Sequence, residues 1–414
     1  MNSIQFNYKQ IKSRPLSAAL NIILFATGIT IISLVFLLRD SFENQLDKNA
    51  GDIGLVVGAK GSPLQLILSG IYHVDYPTGN IDYAEAMELG KHPLIKQAIP
   101  LALGDNYHGF RIVGTHTAYP AIYKGELKAG SLWQKDFEVT IGSKVAAQTG
   151  LTIGDTFAGV HGLSAEPDHV HEEMLYTVAG IFKETTTVLD QLILTNIESV
   201  WEIHAEEHEE GEHHEEGEEH EEGEEHDHDH EHAEAPKEIT TLLIQYQNPM
   251  GAITLPRLIN TSTNMQAASP AQEINRLYSL LGVGVQTLAY ISGFIMFISA
   301  LGIFISLLSS LKERKYELAL IRVMGGSRGR LFACLILEGV SFAVLGYIVG
   351  FASSRVAMFF LSSYTDAAFN YTLQGWVAPT DIYLLAASLG IGVIAAMIPA
   401  IKAMNTNISK TLNQ

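Results

Sequence analysis

The chain has 414 residues, enough for two or three domains, and its apolar fraction of 47% is modest for a protein that lies mainly in a membrane. Its formal net charge of −19 belongs to one segment, because residues 202–234 hold 18 of the 45 acidic residues and no basic one. The other 27 acidic residues nearly balance the 26 basic residues, which excludes a basic patch suited to nucleic acid.

The first apolar segment follows a short basic tail. Residues 1–15 carry three basic residues and no acidic one, and Leu16 to Leu38 then runs 23 residues without a charge. At about 1.5 Å per residue, this run can cross a hydrocarbon core of about 30 Å. The charged sequence Arg39-Asp40-Ser41-Phe42-Glu43 follows in place of a small-residue cleavage site, which favours a membrane anchor over a cleaved signal peptide.

From residue 40 to residue 276 the composition is that of a soluble domain. Segments that are β-branched or alternate in polarity, bounded by Gly, Asp and Pro, predict strands. The predicted strands are Ile53–Val57, Gly109–Val113, Phe137–Ile141, Leu175–Ile181, Leu192–Thr195 and Thr241–Gln245. Helical patterns lie between them at Tyr83–Gly90 and Ser143–Thr149. The sequence therefore predicts an α+β domain, which folds without an internal disulfide because the only cysteine is Cys334.

Three further apolar segments predict three more membrane helices. They are Val283–Leu308, Leu331–Ala352 and Ile382–Ile401, and the helix of the first is expected to begin near Gln272. Three basic residues lie in the N-terminal tail, six between residues 312 and 330, and two in the C-terminal tail. The loop 353–381 has one, Arg355, set against Asp366 and Asp381. This bias predicts that both termini are cytoplasmic and that residues 40–276 lie outside.

The loop between the second and third apolar segments has the pattern of a surface helix. Charged residues punctuate Leu318, Ile321 and Val323, so that one side is apolar and the other charged. A loop that only fixes topology is the alternative. The order Glu-x-Ala-x-x-Arg-x-x-Gly resembles the coupling helix of ABC permeases of the MacB/FtsX/LolCE superfamily, whose usual residues are Glu-Ile-Gly-Ile-Leu-Arg-x-Leu-Gly. The predicted ATPase-coupling residues are Lys312, Glu313, Arg314, Glu317, Ala319, Arg322 and Gly325.

Other parts of the chain resemble the same superfamily. Gly125–Leu127, Val139–Ala146 with Leu151–Asp155, and Tyr176–Phe182 are similar to its periplasmic core, and Pro399–Ala403 is similar to its closing signature. The resemblance implies a membrane α-helical protein with four transmembrane helices and a large α+β extracytoplasmic domain between spans one and two. The implied domains are 1–39, a cytoplasmic tail and first span; 40–276, a periplasmic MacB-like domain with the insertion 202–234; and 277–414, an FtsX-like domain with the coupling helix 312–330.

The resemblance implies the permease subunit of an ATP-driven mechanotransmission complex that acts on a periplasmic client such as a lipoprotein. No G-x-x-x-x-G-K-[ST] motif occurs in the chain, so a separate cytoplasmic ATPase is expected to bind and hydrolyse the ATP. The chain itself is then a non-catalytic subunit with no directly bound cofactor, predicted to form a permease homodimer in the bacterial inner membrane. An FtsX-like activator of a cell-wall hydrolase is an alternative within the same family.

A second alternative is a zinc-linked ABC component, because residues 202–234 predict a solvated loop rich in metal ligands. Four of its histidines alternate, so they share one side of an extended chain. This loop would capture or sense zinc, or work with a metal-binding periplasmic partner; an insertion without a ligand is the competing interpretation. The candidate ligands are His204, His208, His213, His214, His220, His226, His228, His230 and His232. A second group, beside Glu172 and Glu173, is His161, His169 and His171.

Overall fold

The computed structural model describes residues 15–161, 170–203, 237–313, 323–324, 327–369 and 380–405. The chain divides into two compact units. One consists of Met1–Asn44 with Ser279–Gln414, and the other is Gln45–Tyr278. The helices in chain order are α1 (Pro15–Ala50), α2 (Pro63–Gly70), α3 (Tyr83–Gly90), α4 (Tyr119–Ile122), α5 (Ser143–Thr149), α6 (described over 197–203), α7 (Pro249–Ser262), α8 (Pro270–Glu313), α9 (Arg328–Phe369) and α10 (Thr380–Met404).

Among the described residues, four helices, α1, α8, α9 and α10, are long and apolar enough to cross a membrane. Each contains one of the predicted spans, so the four-span prediction is confirmed at the level of the helices. The helix of the second span begins at Pro270, close to the predicted Gln272. The predicted loop 353–381 is wrong in its first half, because α9 continues to Phe369. The residues after Ala352 were interpreted as a loop because Arg355 is charged, but Arg355 is buried in an ion pair and the apolar run from Val356 to Leu361 continues the helix.

Small residues let the backbones of these helices approach closely. A Cβ placed on Gly339 of α9 would lie 2.7 Å from the carbonyl oxygen of Gly392 on α10. A Cβ on Gly350 of α9 would lie 2.7 Å from the carbonyl oxygen of Ala26 on α1. Helix α9 therefore packs against α10 with one set of glycines and against α1 with another.

The other unit is built on one ten-stranded sheet and a two-stranded ribbon. The strands are β1 (Leu55–Ala59), β2 (Ile81–Asp82), β3 (Ile95–Tyr107), β4 (Phe110–Thr115), β5 (Leu127–Gly130), β6 (Glu138–Ile141), β7 (Thr156–His161), β8 (Val170–Phe182), β9 (Ile193–Thr195), β10 (Glu238–Ile239), β11 (Thr241–Tyr246) and β12 (Met265–Ala268). The order in the main sheet is β12-β1-β11-β3-β4-β9-β6-β8-β5, and β7 pairs with both β3 and β8. The pairing therefore closes on itself through β3, β4, β9, β6, β8 and β7.

Two apolar cores fill this unit. One lies on the strands whose pairing closes on itself, and it includes Ile112, Ile141 and Tyr176. The other lies on β1 and β11 and includes Leu55, Leu242 and the α7 residues Leu255 and Ile259. All six predicted strands and both predicted helices overlap elements of the structure, so the predicted α+β domain is confirmed. The 13-residue strand β3 was missed because its Pro100 and Gly104 are strand breakers in a sequence pattern.

Candidate functional site

The predicted coupling segment joins α8 to α9, and the structure describes its ends. Lys312 and Glu313 are the exposed last residues of α8. Val323 and Met324 are 61% and 77% exposed. The other predicted coupling residues, Arg314, Glu317, Ala319, Arg322 and Gly325, lie outside the described residues, so their docking role stays a prediction.

Both helices that flank the segment are packed firmly at their ends. Helix α9 begins at Arg328 because the Ser327 hydroxyl accepts a hydrogen bond from the Arg330 N–H at 3.2 Å, a helix N-cap. Leu311 near the end of α8 and Leu335 near the start of α9 are buried in one apolar core with Ala403 of α10. Close-packed side chains therefore join the ends of α8 and α9 on either side of the segment to α10.

A buried polar cluster joins three of the membrane helices. Arg355 of α9 forms an ion pair with Asp381 of α10, and the two side chains are 8% and 7% exposed. Arg355 Nη1 donates to the Ser33 hydroxyl of α1 at 2.7 Å and to the Ser354 hydroxyl at 3.0 Å. The Ser354 hydroxyl in turn donates to that of Ser33 at 3.2 Å. One guanidinium thus links α1, α9 and α10.

Two aromatic residues complete this cluster. The Arg355 guanidinium carbon lies 4.0 Å from the centre of the Phe351 ring, a cation–π contact. The Tyr347 hydroxyl donates to the backbone carbonyl of Asp381 at 3.0 Å. Sequence reasoning counted Arg355 and Asp381 only as loop charges. The signal that could have found them is a lone arginine soon after one apolar run and a lone aspartate just before the next.

Glycines of the superfamily-like motifs lie where no side chain fits. A Cβ on Gly142 would lie 2.3 Å from the carbonyl oxygen of Asp190, and one on Gly180 would lie 2.2 Å from that of Ser131. Gly154 has a φ of +92°, which disfavours any other residue. The motif residues therefore have a structural reason in this domain, namely close backbone contacts and one tight turn.

The last turns of α1 are hydrogen-bonded to a turn of the α+β unit. Asn49 is fully buried, and its Oδ1 accepts from the Val188 N–H at 3.0 Å. Gln45 Nε2 donates to the carbonyl of Thr186 at 3.1 Å. The carboxylate of buried Asp190 fixes this turn by accepting from the Thr186 N–H at 2.7 Å. The end of α1 is therefore held by specific polar contacts as well as by apolar packing.

A second polar cluster lies inside the α+β unit. His73 Nε2 lies 3.0 Å from the Tyr119 hydroxyl. Burial, together with the nearby positive charge of Arg111, lowers the pKa of His73 to about 3. Burial also lowers the pKa of Arg111 to about 10, and Arg111 Nη2 donates to the Asp75 carbonyl at 2.5 Å. His73 therefore stays neutral at physiological pH.

Replacing His73 with asparagine is expected to reduce the acid sensitivity of the protein. The unfolded chain protonates this histidine near its ordinary pKa of 6.5, and the folded chain only near 3, so the free energy of unfolding falls as pH drops below 6.5. The loss between pH 6.5 and 5 is about 2 kcal/mol. Asparagine tolerates the φ of +54° at this position.

The measurement is denaturant unfolding of the full-length protein in detergent at pH 7 and pH 5, followed by the fluorescence of buried Trp133. His73→Asn should lose less stability than the natural chain between these two pH values. An equal loss in both proteins would show that other groups cause the acid sensitivity.

The predicted metal ligands fall largely outside the described residues. This holds for His169 and for all nine histidines of residues 204–232. His161 and His171 are described only by their backbone, at the end of β7 and the start of β8, where His161 pairs with Asp105 of β3. Within the described ranges, no group of three or more His, Cys, Asp or Glu side chains is placed to hold a metal ion. Metal binding stays a prediction.

Residues 289–408 match the model of a known family, described as FtsX-like permease C-terminal. The chain carries an FtsX-like permease domain. The matched residues contain most of α8, the coupling segment, α9, α10 and both charges of the ion pair. The resemblance to ABC permeases of the MacB/FtsX/LolCE superfamily is confirmed.

Solved structures give a weaker likeness, which differs in kind from the match over residues 289–408, because both are extracytoplasmic regions. The periplasmic region of MacB from Actinobacillus actinomycetemcomitans has a TM-score of 0.34 and 11% identity, over 56% of this chain and 97% of that chain. The extracellular domain of the noncanonic ABC-type transporter YknZ from Gram-positive bacteria has a TM-score of 0.31 and 13% identity, over 52% of this chain and 99% of that chain. No curated protein matches the chain.

The match concerns the C-terminal part of the chain. FtsX-like permeases are membrane components of ABC transporters, and the family implies a cytoplasmic ATPase partner. The four apolar helices agree with a multi-pass bacterial membrane protein.

Proposed function

We propose that this chain is the non-catalytic permease subunit of an ATP-driven mechanotransmission complex. A cytoplasmic ATPase pushes on the coupling segment, residues 312–330, and the membrane helices transmit that displacement to the α+β domain. The domain then acts on a periplasmic client such as a lipoprotein. The observation that carries this proposal is the FtsX-like match over residues 289–408, which includes most of α8, the segment and α9.

The lengths of two helices support mechanical transmission. Helix α1 has 36 residues and α8 has 44, without interruption. At about 1.5 Å per residue these are about 54 Å and 66 Å long, well beyond a hydrocarbon core of about 30 Å. Helices of this length can carry displacement from one side of a membrane to the other.

The polarity of the helices favours transmission over conduction. In the described parts of the four helices, the buried charged side chains are Glu338, Arg355 and Asp381. The last two neutralise each other in the ion pair. A hydrophilic path for ions needs a chain of ionisable or carbonyl ligands at depth, and this set does not supply one.

The ATPase contact can be tested by purification. The tagged full-length chain is solubilised gently from its native membrane, and the ATPase that co-purifies is measured. Arg322→Glu reverses a charge in the coupling segment and is expected to reduce the recovered ATPase at least about 10-fold, the effect of losing a charge-assisted contact. The control is Arg257→Glu, which reverses an exposed charge on α7 and should leave recovery unchanged.

Two results would contradict the proposal. One is equal ATPase recovery with Arg322→Glu and Arg257→Glu. The other concerns topology: a cysteine at Lys312 should resist a membrane-impermeant maleimide added to sealed cells, while a cysteine at exposed Lys124 should react. Labelling of both positions from outside would leave the coupling segment unreachable for a cytoplasmic ATPase.

The nature of the client is tested by loss of the gene. Lipoprotein release predicts that lipoproteins accumulate in the inner membrane, whatever the zinc concentration. Activation of a cell-wall hydrolase predicts division or lysis defects with normal lipoprotein sorting. The lipoprotein proposal is abandoned if sorting is normal.

A zinc-linked role is a second candidate, favoured by the nine histidines between residues 204 and 232. Imidazole and carboxylate together bind zinc, and an exposed segment would bind it weakly and exchangeably. Deleting residues 204–232 is expected to remove most of the zinc bound by the purified protein and to abolish growth in zinc-poor medium, while ATPase recovery is retained. Unchanged zinc binding and growth would reject this role.

A further inference from the structure

Helix α9 packs against α1 and α10 partly through close contacts at its glycines. Gly339 lies against Gly392 of α10, and Gly350 lies against Ile29 of α1. Large apolar side chains, among them Phe25 of α1, are buried in the same core. Apolar burial is non-directional, so it favours contact between these helices without selecting partners as a hydrogen-bonded ion pair does.

The cluster around Arg355 adds contacts with fixed directions between α9 and its two neighbours. The guanidinium is a planar group with donors in fixed directions. Here it pairs with Asp381 on α10 and donates hydrogen bonds to Ser33 on α1 and Ser354 on its own helix. A shift of α9 by one helical turn, about 5.4 Å, would break every one of these contacts. It would also leave a charge buried without its partner, which is strongly unfavourable.

We infer that the Arg355–Asp381 pair is a register pin, which fixes the axial position of α9 against α1 and α10. Arg355 is thus a positioning residue: displacement at the start of α9 moves all three helices together. The role of the pin in transmission rests on the function proposed above, whereas the pin itself is a property of the permease alone.

The axial position can be measured with cysteine pairs that leave the cluster intact. Leu37 of α1 and Met358 of α9 are buried against each other, one turn beyond Ser33 and Ser354. In a Cys334→Ala background, the pair Leu37→Cys with Met358→Cys reports the native register. The pair Leu37→Cys with Ser362→Cys reports a shift by one turn. Diamide serves as oxidant, because copper reagents would bind imidazole and the chain has 16 histidines.

In the natural cluster, the native-register pair is expected to form its disulfide at least about five-fold faster than the shifted pair, the ratio that corresponds to about 1 kcal/mol. With Arg355→Met and Asp381→Leu together, the two rates should become similar. Such apolar replacement of a buried pair usually preserves folding. The reversed pair, Arg355→Asp with Asp381→Arg, should restore the preference, at least in part.

A lysine at position 355 keeps the charge but cannot reach both Asp381 and Ser33 with a fixed fork, so Arg355→Lys should give an intermediate ratio. This variant tests the pin even if the apolar pair fails to fold. An unchanged ratio in folded Arg355→Met with Asp381→Leu, or in Arg355→Lys, would show that apolar packing sets the register and would overturn the inference. No ATPase is needed, so this result is independent of the purification test above.

Discussion

Replacing Asp381 alone with leucine is expected to destabilise the membrane helices by about 3–5 kcal/mol. The substitution leaves the Arg355 guanidinium 8% exposed, with serine hydroxyls and an aromatic face but no negative charge. A buried charge without its counter-ion loses its hydration and gains no compensating attraction. The loss far exceeds the contribution of an exposed salt bridge such as Lys183–Glu126.

The measurement is thermal unfolding of the full-length protein in detergent. A loss of this size should lower the midpoint by roughly 10 °C. The control is Arg355→Met with Asp381→Leu, which removes both charges and should unfold near the natural protein. If the midpoint of Asp381→Leu is also close to that of the natural protein, water or lipid headgroups must solvate the guanidinium. That result would contradict the burial of Arg355.

Replacing Gly142 with alanine is expected to destabilise the α+β unit by about 3 kcal/mol. The added Cβ would lie 2.3 Å from the carbonyl oxygen of Asp190 and 2.4 Å from that of Leu189. Both are backbone atoms of the turn to which the end of α1 is hydrogen-bonded, so they cannot rotate away as a side chain would. The turn must move, and the buried contact between Asn49 and Val188 is strained with it.

Alanine at Gly109 is the matched control, because nothing lies within 4 Å of its Cβ position. Its φ of +82° should still cost about 1 kcal/mol. Denaturant unfolding followed by Trp133 fluorescence should therefore show a clearly larger loss for Gly142→Ala than for Gly109→Ala. Equal losses would mean that the turn at Asp190 yields easily, and would weaken its role as an anchor for α1.

The features that the sequence predicted well are those that depend on local pattern. Apolar runs of about 20 residues predicted the four long helices, because a span is defined by its length and polarity alone. Ser143–Thr149 and Tyr83–Gly90 were predicted to the residue, since each begins after a clear break and carries a helical pattern. The order of residues around Glu317 and Arg322 predicted the family before any fold was known.

The strands that the sequence analysis missed form because tertiary contacts outweigh the strand propensity of their own residues. Strand β3 contains Pro100, but that residue lies opposite Leu242 of β11, and its carbonyl accepts from the Thr115 hydroxyl. Sheet pairing on both sides thus holds a segment that its own sequence disfavours. Strand β12, with two alanines, is likewise a strand only because it pairs with β1.

The sequence by itself determined the class of this protein: membrane helices, an α+β domain between the first two, and an FtsX-like permease region. Only the tertiary structure decided that Arg355, Asp381 and Ser33 meet, and that Gly142 must lack a side chain. These contacts join residues separated by 26 to 348 positions. A hydropathy pattern records which residues avoid water, whereas the meeting of particular charges and backbone atoms depends on how whole helices and strands pack.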